Sequence, residues 1–136
     1  MTTVLFACVH NAGRSQMAAA FFARLADPMR ARAVSAGTQP AARVHPEVVV
    51  AMAELGLDLS AAVPALLDDA LARSADLLVT MGCGEACPHV PGLRRVDWSL
   101  RDPKGAGLLE VRAIRDDIRA RVDALVHREG WGRPQA

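Results

Sequence analysis

Short apolar runs alternate along the chain with longer stretches in which apolar residues recur every three or four positions. Thr3–Cys8 carries Val4, Leu5 and Phe6 in succession, the pattern of a strand covered on both faces. Ser15–Ala26 follows with Met17, Ala20, Phe21 and Leu25 at helical spacing, and Asp27-Pro28 stops it. Ala31–Ala36 predicts a second strand, ended by Gly37. Pro46 suits the first turn of a helix running to Leu55, with Val49 and Met52 facing inward and Gly56 closing it. A further helix is predicted over Ala65–Arg73. Asp76–Met81 predicts a central strand, Gly82–Gly92 a loop, and Arg95–Trp98 a short strand before the turn Asp102-Pro103. The last helix, Leu108–His127, repeats Val111, Ile114, Ile118, Val122 and Leu125 at spacings of three and four.

Strands alternating with helices predict an α/β fold, a single domain with a parallel four-stranded sheet and helices on both faces. With no internal repeat or low-complexity tract, the domain is read as residues 1–129 with a tail over 130–136. In such sheets the ligand crevice lies beyond the carboxyl ends of the strands. The chemically distinctive residues of this chain all fall there.

Composition narrows the function. A chain of 136 residues with 51% hydrophobic and 23% charged residues has room for one packed domain. Its net charge of +1 leaves no broad basic face, and aromatics at 4% with no tyrosine leave no stacking platform, so nucleic acid is excluded as a partner. No apolar stretch approaches the ~20 residues of a membrane span, and no signal peptide is evident at the N-terminus. Three cysteines are an odd number, which argues against a disulfide framework and for metal ligation or redox work in the cytoplasm. Lys104 is the only lysine among 16 basic residues; the rest are arginine, the side chain suited to planar recognition of oxyanions.

Three features carry chemistry. In Cys8-Val9-His10-Asn11-Ala12-Gly13-Arg14-Ser15 a cysteine at a strand end precedes an arginine at a helix start by six positions. Successive N–H groups of such a loop form an anion-binding nest, and the same partial charge favours a Cys8 thiolate. Arg14 can clamp a tetrahedral oxyanion with two parallel hydrogen bonds, and Gly13 gives the backbone room. Ser15 can cap the helix or donate to the Cys8 sulfur, while Asn11 can hold the loop by side-chain bonds to the backbone. It is not a Walker loop, because Gly-x4-Gly-Lys-Ser is absent.

Cys83 and Cys87 lie four residues apart, and one helical turn would bring their Cα atoms within the ~4.4–6.8 Å of a disulfide. Gly82 and Gly84 flank Cys83 and leave its sulfur free to swing. The competing readings are two inert thiols, or a zinc site from Cys83, Cys87, His89 and His10, although Cys-x3-Cys is not the common knuckle spacing. Asp102-Pro103 follows the fourth strand, where a carboxylate can act as a general acid or merely bond its own turn. Asp97 competes for that role but sits inside the strand beside Trp98. His45 and His127 are expected to face solvent, without a role.

Cys8–Ser15, Ser35-Ala36-Gly37, Val79-Thr80-Met81, the Cys83/Cys87 pair and Asp102-Pro103 together resemble the thioredoxin-coupled arsenate reductases, which share the low-molecular-weight tyrosine phosphatase fold. The resemblance runs from Val4 through the last helix. It implies a three-thiol relay without a cofactor. Cys8 attacks arsenate held by Arg14 and the Val9–Ser15 loop, and Asp102 protonates the departing hydroxyl. Cys83 then attacks Cys8 and releases arsenite, and Cys87 resolves the disulfide into a Cys83–Cys87 bond that thioredoxin reduces. Phosphate and sulfate are the expected competing oxyanions, and a monomer is expected. Some relatives hold potassium beside the loop, but the aligned positions here are Ala19, Val63 and Ala65, which offer no side-chain oxygen. The Cys83–Cys87 spacing is also shorter than in some relatives, so less unfolding would carry that disulfide outward. Two other functions fit the same loop: a phosphatase, and a non-enzymatic oxyanion-binding or redox-sensing module. Against the phosphatase, Lys104 follows Asp-Pro where such enzymes usually carry an aromatic residue.

Overall fold

In the computed structural model, which describes residues 1–83 and 86–134, the chain alternates strand and helix as its hydrophobic pattern requires. Gly84, one of the two glycines expected to free Cys83, lies outside the described residues, as do the last two residues of the tail. The elements are β1 (Thr2–Cys8), α1 (Arg14–Leu25), β2 (Ala31–Gly37), α2 (Pro46–Ala53), α3 (Asp69–Ser74), β3 (Leu77–Thr80), β4 (Arg94–Asp97) and α4 (Leu108–Arg128). All four strands are parallel, in the order β2-β1-β3-β4. The register sets Cys8 opposite Gly37, Ala7 opposite Thr80, and Thr80 opposite Asp97. The carboxyl ends of the strands therefore form one edge, and the loops that leave it meet over β1.

The central strand is buried on both faces, so its side chains feed two cores. Val4, Phe6 and Cys8 pack with α1, α2 and α4, whereas Leu5 and Ala7 pack with Ala36, Leu67, Ala72, Leu78 and the two later cysteines. Helix α4 buries Val111, Ile114, Ile118, Val122 and Leu125, the residues that its spacing singled out. Each such burial contributes about 1.5–3 kcal/mol, enough to hold a helix whose outer face is charged. Phe6 meets the Phe22 ring edge-on at 5.7 Å and lies 6.0 Å from Trp98, fixing α1 and the end of β4 against the central strand.

Two local expectations shift. The segment predicted as helix from Ala65 becomes helical only at Asp69, because Gly37 N–H donates to Ala65 and Leu67 N–H to Gly37, which holds the chain extended. Asp68 then caps α3 by accepting the Leu71 N–H at 2.7 Å. In α2 the inward residues are Val48, Ala51 and Met52, with Val49 only half-buried. Residues 130–134 lie along the end of α1, where Trp131 meets Phe22 at 5.9 Å and Arg133 donates to the carbonyls of Ala23 and Arg24.

Candidate active site

The loop from Cys8 to Arg14 is shaped from outside. Carbonyls of Cys8, Val9, His10 and Ala12 accept from the N–H groups of Thr38, Gln39, Ala41 and His45, at 2.8–3.3 Å. Among the described residues, no backbone carbonyl accepts from the N–H groups of Val9–Gly13. With its carbonyls committed outward, the loop keeps its amides for an anion.

Asn11 orders the interior of the loop from a left-handed backbone position at φ 50°. Its Oδ1 accepts from the Ala65 N–H at 2.9 Å and from Gln16 Nε2 at 3.1 Å. A backbone N–H can only donate, so the amide orientation is fixed and Nδ2 must point to the Ser15 hydroxyl, 2.7 Å away. Ser15 Oγ accepts there, which leaves its proton free to be donated to Cys8 Sγ, 2.9 Å away, when that sulfur is a thiolate. Cys8, only 2% exposed, thus has a hydroxyl donor available to its thiolate. Of the two roles expected for Ser15, this is the one adopted, since α1 is capped at Gly13 without a side-chain bond.

Arg14 is 5% exposed and bridges the loops around the site. Its Nη1 donates to the Leu100 carbonyl at 3.4 Å and its Nη2 lies 3.5 Å from Asp102 Oδ2. The guanidinium rests on Gly82, whose φ of +93° and missing Cβ make the contact possible, because a Cβ there would overlap Nη1. Asp102 makes the turn bond foreseen for it and also meets the arginine. Its Oδ1 accepts the Lys104 N–H at 3.0 Å, bonding its own turn, and its Oδ2 faces Arg14. Pro103 seats this turn on the loop: a Cβ on Gly13 would fall 2.5 Å from Pro103 Cγ.

Cys83 and Cys87 are joined as a disulfide, their Cα atoms 5.5 Å apart, and the Ala86 N–H donates to the Cys83 carbonyl at 3.0 Å. The bond takes both thiols out of the zinc set considered above, and no group of three His, Cys, Asp or Glu side chains gathers among the described residues. Both cysteines are buried with Leu5, Ala7 and Leu78, while Cys8 is a free thiol packed in the other core. Asp97 is directed elsewhere: it accepts from Thr80 and from Arg95, and these bonds, Thr80 first, hold its carboxyl below the usual carboxylate range.

His45 departs from expectation. His127 is exposed, but His45 is half-buried at the start of α2, with its N–H on the Ala12 carbonyl at 3.0 Å and its ring edge against Gly13. Burial lowers its pKa, the Asp102 charge works the other way, and His10 lowers it further. The His-Pro pair at a helix start was the available signal. Gln16 was also overlooked, although a polar residue beside Ser15 at a helix start that must face inward needs a partner.

A parallel sheet with a cysteine-to-arginine loop at its carboxyl edge and an aspartate facing the arginine defines a cysteine-based oxyanion enzyme fold. The chain belongs to the low molecular weight phosphotyrosine protein phosphatase family, whose model matches residues 3–130, and its relatives group it with the arsenate reductases of that fold. A Halobacterium salinarum protein provisionally named an arsenate reductase is 42% identical, covering 86% of this chain and 85% of the relative. A Synechocystis protein named glutaredoxin arsenate reductase is 32% identical over 93% of this chain and 97% of its own length. The solved structure of a thioredoxin-dependent arsenate reductase from Corynebacterium glutamicum superposes with a TM-score of 0.81 at 38% identity. That match covers 94% of this chain, which spans 61% of the Corynebacterium chain.

Proposed function

We propose that this chain reduces arsenate to arsenite through Cys8, Cys83 and Cys87, with thioredoxin restoring the thiols. One observation carries the reading: Cys83 and Cys87 are joined while Cys8, bonded to Ser15, remains a thiol. That is the state such a relay leaves behind before its reductant acts.

The loop amides and Arg14 take the oxygens of arsenate, and the Cys8 thiolate forms a sulfur–arsenic bond as Asp102 gives its proton to the departing hydroxyl, which leaves as water. In the reduced enzyme Cys83 then attacks Cys8 Sγ. The sulfur–arsenic electron pair stays on arsenic, which leaves as arsenite, two electrons richer, and a Cys8–Cys83 disulfide forms. Cys87 attacks Cys83, frees the Cys8 thiolate and leaves the Cys83–Cys87 bond. A dithiol protein reduces that bond and becomes a disulfide itself. Thiols that must be re-reduced each cycle suit a reducing compartment, and we assign the protein to the cytoplasm as a monomer.

The test is arsenate-dependent NADPH oxidation through thioredoxin reductase and thioredoxin, with a glutaredoxin–glutathione system in parallel. Turnover with thioredoxin supports the reading, and turnover with glutaredoxin alone would change the reductant. Fast hydrolysis of p-nitrophenyl phosphate without arsenate reduction would replace the reading by a phosphatase. Neither activity would leave a redox-sensing module.

A further inference from the structure

His45 is not a member of the relay, yet it stands where the proton donor is held. Its backbone N–H binds the Ala12 carbonyl at 3.0 Å, which locks the start of α2 to the oxyanion loop. Its imidazole and the Pro103 ring converge on Gly13: Pro103 Cγ lies 2.5 Å, and His45 Cδ2 3.6 Å, from the point where a Cβ on Gly13 would sit. The turn that carries Asp102 therefore has a floor, Gly13, and a side wall, His45. The charged groups facing the imidazole are Asp102 and Lys104 from that turn, His10 from the oxyanion loop, and Glu47 from its own helix.

We propose that His45 is a positioning residue for the proton donor: its neutral imidazole, set with Pro103 against Gly13, holds the Asp102 turn over the oxyanion loop, and its protonation draws the Asp102 carboxyl group off the departing oxygen. The proposal rests on Asp102 being the acid of the reaction proposed above. Burial pushes the His45 pKa below its ordinary value of 6.5, against the opposing pull of the Asp102 charge, and so favours the neutral imidazole that the seat requires. Once protonated, His45 becomes a second cation beside Asp102 that competes with Arg14 for the same carboxylate.

The experiment has a binding arm and a kinetic arm. Histidine ring resonances of the full chain are titrated by NMR, in the wild type and in Asp102→Asn, with each resonance assigned by single His→Gln variants. The His45 midpoint should lie below 6.5 in the wild type and fall further when the carboxylate is removed. An unchanged midpoint overturns the proposal whether or not the protein reduces arsenate.

In the coupled assay, His45→Ala should lower kcat about tenfold with KM for arsenate changed less than about twofold. His45→Gln is measured beside it in case the alanine variant folds poorly. Either change combined with Asp102→Asn should be no slower than Asp102→Asn alone, because both act through one carboxylate. The acid limb of the wild-type kcat profile should also disappear in His45→Gln. Independent, multiplying losses or an unaltered acid limb overturn the positioning role. Absence of arsenate reduction in the wild type overturns the proposed function instead, and the titration still decides the contact.

Discussion

Asn11 donates from Nδ2 to the Ser15 hydroxyl at 2.7 Å, and this bond leaves the Ser15 proton for a Cys8 thiolate 2.9 Å away. The direction originates in the Ala65 N–H on Asn11 Oδ1, a donor that cannot reverse. Asn11→Asp keeps the size and removes the donor, so the Ser15 proton should turn to the new carboxylate and leave the sulfur. A hydrogen bond to a charged group is worth about 1.5–3 kcal/mol, so Cys8 alkylation by iodoacetamide at neutral pH should slow about 10- to 100-fold. Ser15→Ala should slow it by a similar factor, and the double variant by little more. Wild-type alkylation rates in Asn11→Asp would sink this directional chain.

Arg14 rests on Gly82, so the oxyanion clamp and the start of the redox loop share a wall. Gly82→Ala would place a methyl group against Nη1 and hold a side chain at φ +93°. The backbone strain alone is about 1–2 kcal/mol, and the melting temperature should fall by a few degrees. Displacing the guanidinium should weaken phosphate binding about tenfold by calorimetry, since the two-pronged geometry is lost. Unchanged affinity would mean that the loop amides do the holding.

Cys87→Ser should release about one arsenite per enzyme in a burst and then stall with thioredoxin present. Peptide mapping of the stalled protein should find Cys8 joined to Cys83. Cys83→Ser should release none by the thioredoxin route. Full steady-state turnover of Cys87→Ser would exclude the third thiol.

Asp97 offers a control in which stability and chemistry separate. Its carboxyl is held below the ordinary value of 3.8, chiefly by Thr80 and then by Arg95. A depressed carboxyl pKa stabilises the fold above the unfolded value, and the contribution is lost as pH falls through the folded value. Asp97→Asn should therefore be less stable than the wild type at pH 7 in urea, with the gap closing below about 3.8, while arsenate reduction is retained. A gap that persists in acid would place the effect in packing.

Periodicity told most about elements whose burial is one-sided or complete. Val4–Phe6 and the Val111–Leu125 stripe read correctly because a strand covered on both faces and an amphipathic helix each leave one pattern. Ala65–Leu67 misled, since its apolar residues serve a bridge to Gly37, a long-range pairing that no local pattern encodes. The same distinction governs the site. Cys8, Arg14 and Ser15 flank one short loop, at the strand end and the helix start, and their fixed spacing was legible. His45 reaches Gly13 only because α2 starts there in space, and Gln16 matters only because the Asn11 amide faces it.

The burial of the Cys83–Cys87 bond sets a ceiling on recharging. With the two residues 6% and 3% exposed, an incoming thiolate cannot line up on either sulfur while the two cysteines stay packed with Ala7 and Leu78. Reduction must wait for that cluster to open. Raising the reductant concentration will therefore speed the cycle only until every opening is captured, and beyond that point the rate of opening is the clock.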